Sequence, residues 1–336
     1  MNESGAIVCE ELTKIFPNAA QPAVNRVNFQ VTSGELVVLL GPSGCGKTTL
    51  LKMINRLYEP SSGRILIEGT EVHELPVTGL RRRIGYVIQQ VGLFPHMRIE
   101  QNIAIVPQLV GWEKDRIDKR VDELLDLVQL PRDYRKRHPR QLSGGEQQRV
   151  GLARALAADP AIMLMDEPFA AIDAIARTDL QDELLDIQRK LHKTILFVTH
   201  DVEEALRLAD RIIVMRSGEI VQYDTPLQII THPQNAFVQQ LVGTEDMLRR
   251  LSLMRVEAIL AAQKEGEVNY GGSGQRARQE ATISPQDDLR SALSRLLASQ
   301  AEALTVIQDD QSLGSITFDD LRAVIFSPSV EEKSGA

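Results

Sequence analysis

Cysteine is scarce in this chain of 336 residues, which has only Cys9 and Cys45. They lie far apart and make no metal-ligand spacing. They read as free thiols of a reducing compartment, which excludes a disulfide framework and a cysteine-held zinc site. No apolar run reaches the ~18 residues that a membrane span needs. The N-terminus lacks the basic-then-apolar pattern of a secretory signal. These absences lead us to expect a soluble, cytoplasmic chain that works at a membrane only through a partner. A basic excess is missing too: the formal net charge is −8, which argues against a dedicated nucleic-acid binder. Neither an internal repeat nor a heptad array is visible.

What is present suits a globular protein of about two domains. Hydrophobic residues make up 43% and charged residues 25%, enough for a core with an ordinary soluble surface. Residues 1 to about 90 read as short strands around one helix. The run "GELVVLLGPSGCGKTTLLKMINRL" passes from an apolar strand, Leu36 to Leu40, through a Gly-rich loop into a helix. The stretch "GRILIEGTEV" alternates like a half-buried strand. From 92 to 158 the pattern turns helical. Ile117, Val121, Leu124, Leu125 and Val128 share one face of an amphipathic helix that Pro131 closes. Apolar runs return in "AIMLMDEP" and "TILFVTHD", short enough for buried parallel strands whose carboxyl ends are where ligands bind. Residues 262–282 are polar and Gly-rich and read as a linker or loop.

Four motifs carry chemistry. "GPSGCGKT", from Gly41 through Pro42, Ser43, Gly44, Cys45, Gly46 and Lys47 to Thr48, matches the phosphate-binding P-loop. Its glycines let backbone N–H groups turn inward around phosphate oxygens, and the helix that follows adds its positive end. Lys47 is placed to reach the β/γ-phosphates and the Thr48 hydroxyl to ligate Mg2+. In "IMLMDEP", Asp166 at a neighbouring strand end completes a Mg2+ shell, and Glu167 faces the space beyond the γ-phosphate, where it can orient or deprotonate water. His200 in "FVTHD" and Gln89 in "YVIQQ" sit at two further strand ends. His200 can reach the same phosphate, and the Gln89 amide can ligate Mg2+ or water.

A fifth motif is harder to place. "QLSGGEQQRV" runs from Gln141 to Val150. Ser143 and Glu146 form a capping box for the helix that runs to about Ala158. Gly144 and Gly145 leave spare N–H groups uncovered, so the cap can also hold an anion. The pattern alone does not name that anion.

P-loop, "QLSGGEQQRV", "MLMDEP" and "FVTHD", in this order and spacing, resemble the ATP-binding subunit of an ABC transporter over residues 1 to about 240. The resemblance implies an α/β P-loop nucleoside triphosphatase of ABC type with a mainly helical subdomain at about 92–158. It implies ATP and Mg2+ as cofactors, with ATP held by Phe16, by residues 41–48 and by Thr49. Phe16, in "LTKIFPN", matches the aromatic that stacks on adenine; an ordinary core Phe is the other reading. Leu142, Ser143, Gly144, Gly145, Glu146 and Gln147 match the signature segment, which in the family meets the ATP of the other subunit in a head-to-tail dimer. Gln89 falls on the Q-loop, His200 on the switch histidine and Asp173 on the D-loop aspartate at the dimer contact. The expected metal ligands are Thr48, Gln89 and Asp166, and the expected catalytic residues Glu167, His200 and Gln89. The D-loop departs from the family's usual Ser/Gly-Ala-Leu-Asp-Pro: here it reads "AAIDAI", with Ala174 in place of the proline. That change bears on local rigidity and turnover.

"KMINRLYEPSSG", "IGYVIQQVGLFPHM" and "LVGTEDMLRRLSL" resemble importers of quaternary amines such as glycine betaine, carnitine and choline; an importer ATPase for amino acids, polyamines or sugars is the other reading. The partners this implies are a second copy of the chain, a membrane permease touched after Gln89, and an external solute-binding protein, at the cytoplasmic face of the membrane. Nucleic acid is not an expected partner: ABC ATPases of repair or translation need a long coiled-coil insertion or tandem cassettes. Beyond a connecting segment at 241–282, residues 283–326 resemble one CBS motif, followed by a tail at 327–336. The pattern predicts a helix with Leu289, Leu293, Leu296 and Leu297 on one face, a strand at 303–307, a turn at Gly314, a strand at 315–318 and a final helix.

Overall fold

The structure, a computed structural model, describes residues 5–89, 92–170, 172–243, 251–264, 282–299, 301, 303–308 and 311–321. The Gly-rich segment at 265–281 and the tail from 322 onward lie outside the described residues. Contacts divide the chain into two units, one ending at Pro226 and one beginning at Leu227. The sequence reading puts its boundary near 240.

The first unit is built on two sheets. An antiparallel sheet has the order β2-β1-β4-β5, with β1 Ile7–Lys14, β2 Val24–Val31, β4 Ser62–Ile67 and β5 Thr70–Glu71. The stretch "GRILIEGTEV" is therefore two strands and a turn, because Leu66 and Ile67 pair with Glu71 and Thr70. The second sheet has the order β10-β9-β3-β8-β7-β6, with β3 Leu36–Leu40, β6 Ile84–Val87, β7 Ile162–Asp166, β8 Thr194–Thr199, β9 Arg211–Arg216 and β10 Glu219–Asp224. Every pairing from β9 to β6 is parallel, and only β10 runs antiparallel. All residues of β3, β7 and β8 are buried, which is why their sequences are continuously apolar rather than alternating. A fully buried Leu such as Leu39 or Leu164 contributes about 1.5–3 kcal/mol.

Helices cover the sheet. Helix α1, Lys47–Ile54, follows β3, and the short α2, Val77–Arg83, precedes β6. The sequence pattern missed α2, whose single buried residue, Leu80, gives no periodic signal. Between β6 and β7 come α3 Ile99–Leu109, α4 Lys114–Leu127 and α5 Gly144–Leu156, the expected helical region. On α4, Ile117, Val121, Leu124 and Leu125 are buried, and Val128 caps its end three residues before Pro131. Helix α6, Ala174–Leu191, leads to β8, and α7, Val202–Leu208, leads to β9.

The second unit has its own core, which includes Leu251, Val256, Leu289, Leu304, Val306 and Ile316. Strand Thr282–Ile283 pairs in parallel with Ala303–Gln308, which pairs antiparallel with Gln311–Thr317. Helix Leu289–Ser299 buries Leu289, Ala292 and Leu296. Leu297 is 63% exposed, so it leaves the expected apolar face, and Ala292 takes its place. Gly314 makes no turn. It lies inside the last strand opposite Val306, where the register shifts, so the glycine marks an irregularity in the pairing.

Candidate functional site

Four neighbouring strands end together. Strands β3, β8, β7 and β6 are adjacent and parallel, so their carboxyl ends bring the P-loop, His200, Asp166–Glu167 and Gln89 to one edge of the sheet. The arrangement follows from burial: the apolar runs fill the sheet interior and leave the polar residue after each run at its rim.

The P-loop wraps onto the start of α1. Gly46, the N-cap, has φ 110° and offers no side-chain cap, so the first-turn N–H groups of α1 are left for an anion. A Cβ at Gly46 would stand 2.3 Å from the Ala23 carbonyl oxygen, and one at Gly41 would stand 2.3 Å from that of Met215. Both positions therefore require glycine. Lys47 is buried, and its Nζ donates to the carbonyls of Gly41 at 2.7 Å and Pro42 at 3.1 Å. The ammonium is thus held inside the loop that a phosphate would enter. Cys45 is buried and free, as is Cys9, and burial pushes both thiols up from their ordinary value.

Next to it, the Thr48 hydroxyl donates to Asp166 Oδ1 at 2.9 Å. Burial pushes the Asp166 carboxyl up, against the pull of the Thr48 hydrogen bond and of Lys52. Glu167 follows in the left-handed region, φ 45°, which turns its side chain away from the strand direction. Its Oε2 lies 3.1 Å from His200 Nδ1 and accepts from Gln89 Nε2 at 3.4 Å. The three expected catalytic side chains therefore meet at one carboxylate oxygen. A hydroxyl, a carboxylate and an amide are hard oxygen donors that suit Mg2+. Among the described residues no group of three His, Cys, Asp or Glu side chains could hold a metal alone. Mg2+ commonly takes one or two carboxylates and completes its shell from substrate phosphates and water, so the donor set fits.

Phe16 is partly exposed, not a core residue. Its ring meets Tyr58 edge-on at 5.4 Å, with Lys14 Nζ 5.3 Å from its centroid.

The signature segment forms the expected cap. Ser143 Oγ accepts from the Glu146 N–H at 3.3 Å, and Glu146 Oε2 accepts from the Ser143 N–H at 2.7 Å. Gln147 Nε2 donates to the Leu142 carbonyl at 3.1 Å. The Ser143 N–H is the main cause that holds the Glu146 carboxyl below its ordinary value. A Cβ at Gly144 would meet nothing within 4 Å, and one at Gly145 only Leu180 at 3.9 Å. Packing among the described residues does not call for either glycine.

Several residues at the site escaped the sequence reading. Tyr134 donates from its hydroxyl to Glu146 Oε1 at 3.0 Å, and Arg135 ties its turn to Glu100, Asp118 and Asp122. Arg149 on α5 pairs at 2.9 Å with Glu183 on α6, which is buried and whose carboxyl burial pushes up. Arg177 bridges the Asp173 loop and Asp201. Apart from the Arg177–Ile172 contact, which is to a backbone carbonyl, these join residues far apart along the chain, and no local pattern announces them. Asp173 is exposed and caps α6 by accepting from the Ala176 N–H at 3.1 Å.

Residues 24–170 match the family model described as ABC transporter. The chain is 51% identical over 252 residues to the glycine betaine/carnitine/choline transport ATP-binding protein OpuCA of Bacillus subtilis, covering 75% of this chain and 66% of that protein. It is 48% identical over 311 residues to the glycine betaine uptake system ATP-binding protein YehX of Escherichia coli, covering 92% of this chain and 97% of that one. A dimeric ATP-binding cassette in a post-hydrolysis state with ADP and Pi superposes with a TM-score of 0.60 at 32% identity, over 66% of this chain and 98% of that one. With its P-loop, Asp166–Glu167 pair and capped signature turn in this arrangement, the chain belongs to the ABC transporter family of ATP-binding proteins.

Proposed function

We propose that this chain hydrolyses ATP to ADP and phosphate and so energises import of a quaternary-amine osmoprotectant, of the glycine betaine, carnitine, choline or proline type, through a membrane permease. The observation that carries the reaction is the meeting of Glu167, His200 and Gln89 at one carboxylate oxygen beside the Thr48–Asp166 pair. The relatives' names, glycine betaine/carnitine/choline transport and glycine betaine uptake, support the cargo.

The P-loop amides and Lys47 bind the β/γ-phosphates, and Phe16 stacks on the adenine. Thr48, Asp166 and Gln89 hold Mg2+, which when bound neutralises phosphate charge. Glu167 orients the attacking water and accepts its proton, while His200 and Gln89 fix the Glu167 carboxylate. Such a transition state needs positioning and charge neutralisation more than covalent chemistry. The signature residues Leu142 to Gln147 meet the γ-phosphate held by a second copy, in a head-to-tail pair with Asp173 at the contact. Open space around Gly144 and Gly145 supports that reading, since a partner's nucleotide can approach the backbone there.

No described helix is long and apolar enough to cross a membrane, which fits a subunit docked on the cytoplasmic face of a permease. An extracytoplasmic solute-binding protein delivers the cargo. The strand-helix-strand-strand order of residues 282–317 supports a single CBS-like motif, which we read as an aid to dimerisation.

Glu167→Gln tests the reaction. We expect ATP binding and ATP-driven dimerisation to persist while phosphate release falls roughly 100-fold or more. Turnover at the wild-type rate would remove Glu167 from its role.

A further inference from the structure

The Asp173 loop lacks the proline that would stiffen it, yet a side chain spans the gap. Arg177, one helical turn into α6, donates from one terminal nitrogen to the Ile172 carbonyl at 3.0 Å. Its other terminal nitrogen lies 3.4 Å from Asp201 Oδ2. Asp201 directly follows His200 and is itself fixed. Its Oδ1 caps α7 by accepting from the N–H groups of Glu203 at 2.9 Å and Glu204 at 3.2 Å, and its own N–H donates to Thr199 Oγ1 at 3.0 Å. Arg177 Nε is buried with no acceptor among the described residues, so the guanidinium is held by these two contacts at the cost of one desolvated donor. A planar fork can serve a carbonyl and a carboxylate at once, which a lysine ammonium cannot do in the same geometry.

We infer that Arg177 is a positioning residue that couples the partner-facing Asp173 loop to the His200 end of β8, and that it supplies the rigidity a proline after Asp173 would give through the backbone. The inference rests on the proposed ATPase dimer. It gives the route by which closure onto a second copy reaches Glu167: from the Ile172 carbonyl through Arg177 and Asp201 to His200, whose Nδ1 touches the catalytic carboxylate. Position 174 is ready for proline. Ala174 is the first helical residue, and Asp173 before it has φ −61° and ψ 157°, the extended conformation a following proline requires.

The test measures phosphate release and ATP binding for Arg177→Met, for Asp201→Asn, which keeps the α7 cap and removes the carboxylate, for their combination, and for each with Ala174→Pro added. We expect Arg177→Met to lower kcat roughly tenfold or more, as displaced catalytic geometry does, with KM for ATP within about twofold. Asp201→Asn should give a similar loss, the combination should cost little more than either change alone, and Ala174→Pro should recover much of the rate. If Arg177→Met does not fold, Asp201→Asn with and without Ala174→Pro carries the same expectation. Wild-type kcat in the single variants, full additivity, or no recovery with Ala174→Pro would overturn the coupling while leaving the ATPase reading intact. A wild-type chain that releases no phosphate would overturn the ATPase reading itself, and the coupling with it.

Discussion

The glycines of the P-loop and the glycines of the signature turn sit at two helix N-termini of the same chain for different reasons. Gly41 and Gly46 answer to their own chain: a Cβ at either would stand 2.3 Å from a backbone carbonyl oxygen. Gly144 and Gly145 relieve no clash among the described residues. They occupy the first positions of α5, where a Cβ would find open space or an ordinary contact. Each forgoes up to about 1 kcal/mol of helix propensity relative to alanine. Glycines that weaken their own helix without relieving a clash among the described residues support the proposed approach of a second copy. On the proposed function, the first helix start is a phosphate site complete in its lysine and its loop, and the second is a capped surface that meets the phosphate of a second copy.

Changes on the two sides should behave differently. The largest effect is expected from Gly46→Ala. With φ 110° and a carbonyl in the way, the P-loop must shift, at a cost of at least about 1–3 kcal/mol, and nucleotide binding should be lost. Nucleotide titration and a thermal melt check both. Ser143→Arg should abolish hydrolysis while the monomer binds ATP as the wild type does; loss of monomer binding would place the signature turn in the same chain's site. Gly144→Ala splits the comparison most cleanly, since it should raise stability by up to about 1 kcal/mol and still slow turnover. Removing one hydrogen bond with Tyr134→Phe should lower stability by about 0.5–1.5 kcal/mol, read from denaturant unfolding. The smallest effect concerns acid. The folded Glu146 carboxyl titrates below its unfolded value, so its contribution is complete above the unfolded value and is lost as pH falls through the folded one. Glu146→Gln should remove that part of the acid dependence of unfolding.

Much of the site was legible because its strands are buried on both faces. "LVVLL", "IMLMD" and "TILFVT" coincide with β3, β7 and β8, and the polar residue after each marks the rim. The Ser143–Glu146 cap was legible for a similar reason, as its partners are three residues apart. What stayed hidden depends on distance in sequence. Tyr134 reaches Glu146 across a turn, Arg149 reaches Glu183 between helices, and Arg177 holds a backbone carbonyl that carries no sequence signal. Strand order was hidden too, because parallel pairing of β3 with β8 joins residues far apart along the chain. In the second unit, Leu297 and Gly314 misled because a short helix with leucines on several sides, and a glycine that breaks pairing without ending the strand, have no distinct local signature.

On the proposed function, each ATP site is shared between two copies of the chain. Mixing two inactive variants, Lys47→Ala and Ser143→Arg, tests it most directly. In a head-to-tail pair the mixed dimer keeps one intact site, made from the P-loop of the Ser143→Arg copy and the signature turn of the Lys47→Ala copy. Phosphate release should therefore return to roughly a quarter of the wild-type rate in an equal mixture, since half the dimers are mixed and each has one of two sites. A mixture as inactive as either variant alone would contradict the account.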